Sequence, residues 1–415
     1  MMKTLTSFTL CTLLLTTVGQ AARFLPLGLP PGIGSASMVV EGVSADGTKV
    51  VGSYFPEQKA FLWTDVAGLK FLTGGPDLPQ VRTANAISPD GNVVIGHLIA
   101  GSSEPYRWTE SEGITLLPPR MYEPVATSYD GSIVIGITSY STFYGGTSED
   151  ISWDGKVVVG GSGFDEGFRD EGGVRTWLGD LPGWAYSSQA LAVSADGSFV
   201  VGTSKGAVGP GQQNELPMYW TEATGMVRLG QWTNGYATDV SAAKIAISGY
   251  GNPNLGGDGA FRWTPASGTR SVKSLLTDAG IDMTGWDMTT GHSTYLSADG
   301  RTIVGTGKNP NGKFEGWLAE LDIAGDFDQD GDSDGNDFLI WQRGFETTHD
   351  SSDLADWSTN LAFLRSLAPQ PSLETSVVPE PSSALQVVAG LLFLVGICSA
   401  ATTPHGRRSR DFDCR

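Results

Sequence analysis

The sequence is poor in the residues that build thiol, disulfide and zinc chemistry. It contains three cysteines, and all of them lie in or beyond the apolar runs near the two ends, at Cys11, Cys398 and Cys414. The body between those runs therefore has no disulfide framework, thiol nucleophile or thiolate metal site. The four histidines include no pair with the spacing of a zinc motif.

Positive charge is also scarce. Lys and Arg total 26 against 45 Asp and Glu, which gives a formal net charge of -19. This balance argues against nucleic acid or an anionic membrane surface as the main partner. Glycine, by contrast, is abundant, with 56 residues in a chain of 415. Such a composition is typical of an all-β protein built from short strands and tight turns.

The two ends are predicted to be targeting segments. Residues 1–21 combine a lysine, a short threonine-containing apolar run and small residues, as in a secretory signal peptide. Residues 384–401 carry no charge and are just long enough to span a bilayer. The basic residues that follow, Arg407, Arg408 and Arg410, would hold the tail in the cytoplasm. A permanent C-terminal anchor would have these same features.

A short motif precedes the predicted span and favours a second interpretation. The stretch "VPEPSS" contains Pro379, Glu380 and Pro381. Together with the span and the basic tail, it resembles the PEP-CTERM sorting signal of bacterial exported proteins, over residues 378–415. The resemblance implies an exosortase-type membrane protease as a partner, removal of the span, and release or transfer of the protein to the cell envelope, the outer surface or the extracellular matrix.

One phrase returns seven times in the body and predicts seven β-hairpins. Asp-Gly between runs of alternating apolar residues is a strong hairpin signal, and it predicts a type I′ turn with positive φ at both central residues. The aspartates are accordingly interpreted as turn residues. The seven copies read GVSADGTKVVGS, AISPDGNVVIGH, ATSYDGSIVIGI, DISWDGKVVVGG, AVSADGSFVVGT, the degenerate DVSAAKIAISGY, and YLSADGRTIVGT.

A second phrase, aromatic-x-Trp-Thr followed by a glycine turn, adds two strands to most hairpins. Its tryptophans at 63, 108, 220 and 263 are interpreted as core residues, and Asp170 takes that position in one unit. Four strands at a spacing of about 40–45 residues predict β-propeller blades over residues 22–322. The third unit is cut short, so the sequence predicts six complete blades and leaves a seventh partial.

Closure of the ring can also be predicted. The last unit stops after "WLAELD", and "FLPLG" at Phe24–Gly28 has the character of its missing fourth strand. Such an N-terminal strand would remove the exposed edges of the sheet. An open solenoid is the alternative. The hairpins and tryptophan strands together resemble the HAF-type extracellular repeat proteins of bacteria, a resemblance that implies an extracellular propeller and no particular chemistry.

After the repeats comes "DFDQDGDSDGND", a twelve-residue stretch with six aspartates. Carboxylates at positions 1, 3, 5, 9 and 12, with Gly331 at position 6, match the spacing of an EF-hand calcium loop. The residue at position 7 would offer its backbone carbonyl. A disordered acidic linker is the alternative. The predicted Ca²⁺ ligands are Asp326, Asp328, Asp330, Asp332, Asp334 and Asp337.

The segment around this loop resembles a dockerin-type calcium repeat, over residues 323–367. It has no entering helix, and "FLIWQRGF" predicts a short exit helix. A second copy is echoed in "SDLADWSTNL", but its metal loop has eroded to "FETTHDSS", and Ser333 stands where an apolar residue is usual. The resemblance implies calcium and a cohesin-like partner, and the two departures weaken the second implication. Residues 368–377 are interpreted as a linker.

These observations predict an exported, non-catalytic binding or structural protein of the cell surface or extracellular matrix. Its partners would be extracellular polysaccharide or a cohesin-like protein. No catalytic residue is predicted. One alternative is a propeller enzyme, a glycan hydrolase or lyase, for which Asp170 is the first candidate carboxylate in the central funnel. The other is a dockerin-mediated subunit of an extracellular assembly.

Overall fold

A computed structural model gives the fold of this chain. The predicted signal peptide 1–21, the linker 368–377 and the sorting signal 378–415 with its span lie outside the described residues. Among the residues described, no helix is long and apolar enough to cross a membrane. The structure describes residues 22–30, 37–73, 81–100, 102–118, 121–138, 147–161, 166–183, 187–209, 212–230, 234–251, 259–291 and 293–367.

The fold is an all-β propeller with six four-stranded antiparallel blades and one two-stranded hairpin. Blade 1 contains β2 (Ser37–Val43), β3 (Lys49–Phe55), β4 (Lys59–Thr64) and β5 (Gly68–Phe71). Blade 2 contains β6 (Val81–Ile87), β7 (Val93–Ala100), β8 (Ser102–Thr109) and β9 (Gly113–Leu116). The half-blade that follows contains β10 (Met121–Thr127) and β11 (Val134–Thr138).

The remaining blades follow in chain order, and the last one takes its fourth strand from the N-terminus. Blade 3 contains β12 (Thr147–Ile151), β13 (Val157–Gly161), β14 (Phe168–Glu171) and β15 (Val174–Trp177). Blade 4 contains β16 (Ser187–Val193), β17 (Phe199–Gly209), β18 (Gln212–Thr221) and β19 (Gly225–Arg228). Blade 5 contains β20 (Gly235–Val240), β21 (Ile247–Gly251), β22 (Gly259–Thr264) and β23 (Gly268–Ser271). Blade 6 contains β24 (Thr294–Leu296), β25 (Thr302–Lys308), β26 (Phe314–Glu320) and β1 (Arg23–Pro26).

Three described helices accompany the strands. Helix α1 (Val272–Asp278) follows blade 5, and its N-cap Ser271 accepts a hydrogen bond from the backbone of Ser274 at 3.1 Å. Helices α2 (Gly335–Gly344) and α3 (Ser351–Leu367) follow blade 6. Helix α2 begins at the end of the acidic stretch, as predicted for the exit helix.

The repeated phrase forms hairpins as predicted, but the predicted turn type is wrong. In blade 1 the turn closes by a 2.9 Å hydrogen bond from the Gly47 N–H to the Ser44 carbonyl, and Gly47 has a φ of +71°. Asp46 is not in the positive-φ region. Its carboxylate accepts from the Ser44 hydroxyl at 2.5 Å and the Thr48 N–H at 3.0 Å. Only the glycine therefore needs the left-handed conformation, and the aspartate has the predicted turn role.

Hydrogen bonds and one ion pair join successive turns into a ring. Backbone bonds connect every pair of neighbouring turns except those of blades 4 and 5, where the Lys244 ammonium pairs with the Asp196 carboxylate. The residue between Ser and Asp of one turn bonds to the equivalent region of the next, and the half-blade takes part like the complete blades. All seven hairpins thus occupy equivalent positions around one axis. The N–H to carbonyl bonds are Ala45 to Pro89 (2.7 Å), Asp90 to Tyr129 (3.1 Å), Tyr129 to Trp153 (3.0 Å), Trp153 to Ala195 (3.1 Å), Ala242 to Ala298 (2.8 Å) and Ala298 to Ala45 (2.7 Å).

The N-terminal strand closes the ring, as predicted. Strand β1 pairs antiparallel with β26, with Phe24 opposite Ala319 and Leu25 opposite Leu318. The Phe24 ring lies edge-on to Trp286 at 5.0 Å between centroids. The open solenoid is therefore wrong for this chain, because the N-terminal strand is the fourth strand of the last blade and pairs with β26. An exposed edge would otherwise template association with other chains.

The repeated tryptophans are core residues, as predicted. Trp63, Trp108 and Trp220 are 5–8% exposed. They pack in clusters with aliphatic side chains from neighbouring strands. Trp263 is partly buried and packs against a further cluster. Burial of such large rings between blades contributes hydrophobic stabilisation to the propeller.

Candidate functional site

The acidic stretch folds into a compact loop, called here the aspartate loop (Asp326–Asp337). Gly331, at position 6, has a φ of +91° and donates its N–H to the Asp326 carboxylate at 3.1 Å. This turn gathers the six predicted ligands into two groups of three. Within each group the carboxylate oxygens lie within 4.8 Å of one another, and the groups are Asp326–Asp328–Asp330 and Asp332–Asp334–Asp337.

Asp337 joins the two ends of the loop. Its carboxylate is fully buried and accepts from the N–H groups of Phe327 (2.6 Å), Asp328 (3.2 Å) and Asp334 (2.7 Å). Asp334 is the N-cap of α2 and accepts from the Asn336 N–H at 2.6 Å. The pair forms a capping box, so helix α2 and the loop fix each other's geometry.

Several carboxylate oxygens in the loop are buried without a donor. Asp326 is only 5% exposed, yet its Oδ1 has no hydrogen-bond partner. The Oδ1 atoms of Asp328 and Asp332 are also buried and unpartnered. Burial, followed by the neighbouring carboxylates, raises the pKa of Asp326 to about 7 and the pKa values of Asp328 and Asp332 to about 6.

A divalent cation would satisfy these oxygens and neutralise the repulsion. The donor set consists of oxygen alone, which suits a hard cation such as Ca²⁺ or Mg²⁺ rather than a metal that prefers nitrogen or sulfur. Each group offers three carboxylate oxygens, and Ca²⁺ completes its six to eight oxygen ligands with backbone carbonyls and water. The residues present therefore fit calcium. The fold contains an acidic cluster that is able to hold a metal.

A second acidic region lies in the central channel and was not predicted. The first strands of all seven hairpins enclose a cavity of about 720 Å³. Among the described residues, its lining contains no lysine or arginine. Its titratable side chains besides Tyr236 and Tyr295 are Glu41, Glu123, Glu149, Asp150, Asp239 and His97.

β-Bulges place these acids on the channel wall. In blade 1 Val40 pairs with Gly52 and Gly42 pairs with Val51, so Glu41 is an extra residue on its strand. Glu149 is the corresponding residue of blade 3. A bulge lets two consecutive side chains reach one face of a strand. Their position in the repeat could have identified them, because both glutamates stand three residues before the turn serine.

Two of the channel acids are tied to backbone groups. Asp150 accepts from the Val193 N–H of blade 4 at 2.8 Å, and Asp239 accepts from the Leu296 N–H of blade 6 at 2.8 Å. Each carboxylate thus links its blade to the next one. Burial raises the pKa of both aspartates to about 7. We interpret these two residues as structural links between blades.

The channel glutamates accept only side-chain hydrogen bonds among those observed. Glu41 accepts from the Tyr295 hydroxyl at 3.3 Å, and burial raises its pKa to about 7. Glu149 accepts from Thr147 at 2.7 Å and Gln189 at 3.3 Å, and burial raises its pKa. Their position in an open cavity leaves these carboxylates able to accept bonds from a ligand.

The proposed funnel role of Asp170 is wrong. The residue lies on β14, away from the channel lining. Its carboxylate accepts from the Gly173 N–H at 3.0 Å and pairs with Arg175 at 3.7 Å. Replacement of a tryptophan at this position therefore serves the local β14–β15 turn.

No protein-family model and no curated protein matches this chain. Similar solved structures include an oligogalacturonate lyase in complex with manganese, at 12% identity over 72% of this chain and 93% of that chain, with a TM-score of 0.49. A putative TolB from Agrobacterium tumefaciens is 12% identical over 73% of this chain and 98% of that chain, with a TM-score of 0.32. TolB from Acinetobacter baumannii is 12% identical over 68% of this chain, which spans 54% of that structure, with a TM-score of 0.31. At these identities and TM-scores the likeness carries no conclusion about activity.

Proposed function

We propose that this chain is an exported, non-catalytic binding protein of the cell surface or extracellular matrix. The predicted signal peptide and sorting signal support export and processing by an exosortase-type protease. The propeller supplies a rigid ring with one central cavity, and the aspartate loop supplies a calcium site. Binding of an extracellular polysaccharide at the channel is the function that this arrangement supports best.

The observation that carries this proposal is the acidic channel. Glu41 and Glu149 line the 720 Å³ cavity, and neither is held by a backbone N–H. Carboxylates accept hydrogen bonds from sugar hydroxyl groups and attract protonated amines. With no lysine or arginine among the described lining residues, the channel offers no cationic side chain to pair with uronic acids and other anionic sugars. The ligand is therefore a neutral or amino sugar at the end or branch of a polysaccharide.

Calcium in the aspartate loop is the second element of the proposal. The unpartnered Oδ1 of the buried Asp326 supports a bound cation, because a buried carboxylate oxygen without a donor or metal is costly. Calcium is preferred to magnesium because the loop has the carboxylate spacing of an EF-hand calcium loop. The ion would be structural.

Co-sedimentation with polysaccharides tests the proposed function. We expect the protein to sediment with a polymer of neutral or amino sugars and not with a polyuronate. A double variant, Glu41→Gln with Glu149→Gln, should weaken binding by about tenfold or more, because two carboxylate acceptors are lost. Asp170→Asn, outside the channel, is the matched control.

Three outcomes would contradict the proposal. Binding of a polyuronate in preference to neutral polymers would show that the channel charge does not select the ligand. Equal binding by the wild type and the channel variant would remove the channel from the interaction. A shortening of the polymer chains during incubation, measured by size-exclusion chromatography, would favour the glycan hydrolase or lyase alternative.

A further inference from the structure

Helix α3 packs along the propeller and does not stand apart from it. Phe363 lies edge-on to Trp263 of blade 5 at 5.3 Å and to Phe199 of blade 4 at 6.3 Å. Leu367 packs against the same cluster, which joins blades 4 and 5. Leu364 packs against the cluster that contains Trp317 of blade 6. One helix thus packs against two clusters that are built from three consecutive blades, including the blade closed by the N-terminal strand.

A single buried asparagine connects α3 to both the loop and the propeller. Asn360 is fully buried and accepts from the backbone N–H of Ala266, in the last turn of blade 5, at 3.1 Å. It donates to the Ala324 carbonyl at 2.7 Å and to the Ser333 hydroxyl at 3.3 Å. Ser333, the unusual residue at position 8 of the aspartate loop, is itself buried and bonds to the Gly325 carbonyl.

The aspartate loop lies directly against the last Asp-Gly turn of the ring. A Cβ at Gly331 would come within 2.4 Å of the Cα of Asp299, so the two backbones touch at this glycine. Trp357 of α3 donates its Nε1–H to the Asp334 carbonyl of the loop at 2.6 Å. The loop therefore sits between blade 6 and α3, and its folded shape sets where α3 lies.

We infer that the cation in the aspartate loop latches the propeller: it holds the loop closed so that α3, through Asn360, Phe363, Leu364 and Leu367, braces blades 4, 5 and 6. Without a cation, six carboxylates in one loop repel, and the loop loses the shape to which Asn360 and Trp357 bond. The inference rests on the proposed calcium site. In this arrangement the propeller covers a face of α3 that a dockerin-like module would otherwise offer to a partner.

Hydrogen exchange of the full-length protein in detergent, with and without saturating calcium, tests the inference. We expect calcium to slow exchange at the Ala266 amide and in β1 and β26 by about tenfold or more. In Phe363→Ala, calcium should still bind, as measured by equilibrium dialysis, but the slowing should fall to about twofold or less. Phe345→Ala, which removes an exposed aromatic ring at the C-cap of α2, is the matched control and should behave as the wild type.

If Phe363→Ala does not fold, Leu367→Ala removes a smaller contact of α3. We expect it to reduce the calcium-dependent slowing of exchange in the same way. Calcium binding without any change of exchange in the propeller would overturn the latch and leave the calcium site intact. Equal protection in Phe363→Ala, Leu367→Ala and Phe345→Ala would overturn the bracing role of α3. Absence of calcium binding to the wild type would overturn the calcium site and the latch together.

Discussion

The two acidic regions of this protein satisfy their carboxylates in different ways. In the channel, Asp150 and Asp239 each accept two backbone N–H bonds, one from their own strand and one from the next blade. In the aspartate loop, Asp326, Asp328 and Asp332 each keep a buried oxygen without any donor. Negative charge is concentrated in both places, but only the loop has oxygens for which a cation would be the missing partner.

The comparison also separates two uses of a buried carboxylate. A carboxylate that accepts from two blades acts as a link, and its removal leaves donors unpaired. A carboxylate oxygen without a donor is available to a cation, so neutralising that carboxylate should mainly affect cation binding. The three predictions below test this distinction, from the largest expected effect to the smallest.

Neutralising the loop should abolish calcium binding, whereas neutralising a channel link should not. For Asp326→Asn with Asp330→Asn, we expect the calcium dissociation constant to rise by at least about 100-fold, or about 2.7 kcal/mol, because two charged ligands become neutral. Asp150→Asn, which conserves size, should leave the affinity unchanged. Equilibrium dialysis of metal-stripped protein measures both. Equal losses in the two variants would mean that the regions are not distinct.

Removing a channel link should cost stability. Asp239→Ala leaves the N–H groups of Val240 and Leu296 without their acceptor, and we expect the free energy of unfolding to fall by about 1–3 kcal/mol. Glu123→Ala, on the same channel wall, should change it by less than about 0.5 kcal/mol. Urea denaturation in excess calcium keeps the loop constant during the measurement. A larger effect of Glu123→Ala would contradict the link.

Much of the fold could be predicted because its signals are local. Each Ser-x-Asp-Gly turn is specified by residues within a six-residue segment. The fourth strand of blade 6 could be predicted because "FLPLG" matches a missing piece of the repeat. The loop ligands could be named for the same reason, since all six lie within twelve residues. Their approach into two groups of three agrees with that spacing, while the identity of the ion stays a prediction.

The rest depends on contacts that the sequence does not announce. The turn type was wrong because Asp-Gly is also compatible with a turn in which only the glycine has positive φ and the aspartate accepts hydrogen bonds. The channel acids were missed because Glu41 and Glu149 come from different blades and reach the channel through bulges. The prediction for Asp170 was wrong because an unusual residue at a repeated position indicates a local change but does not indicate which way its side chain faces.

The smallest effect concerns the pH dependence of stability. The folded-state pKa of Glu41 is about 7, above its ordinary value of 4.5. Between these two pH values the folded protein keeps the Glu41 proton, whereas the unfolded chain has released it. The stabilisation that this proton gives the folded state is complete below pH 4.5 and is lost as the pH rises through 7. Glu41→Gln should therefore flatten the decline of the unfolding free energy between pH 5 and pH 7.5, measured by urea denaturation. Tyr295→Phe removes the hydroxyl that favours the ionised form, so it should raise the pKa of Glu41 further and steepen the decline. Parallel slopes in the wild type and both variants would show that Glu41 is ionised in the folded channel.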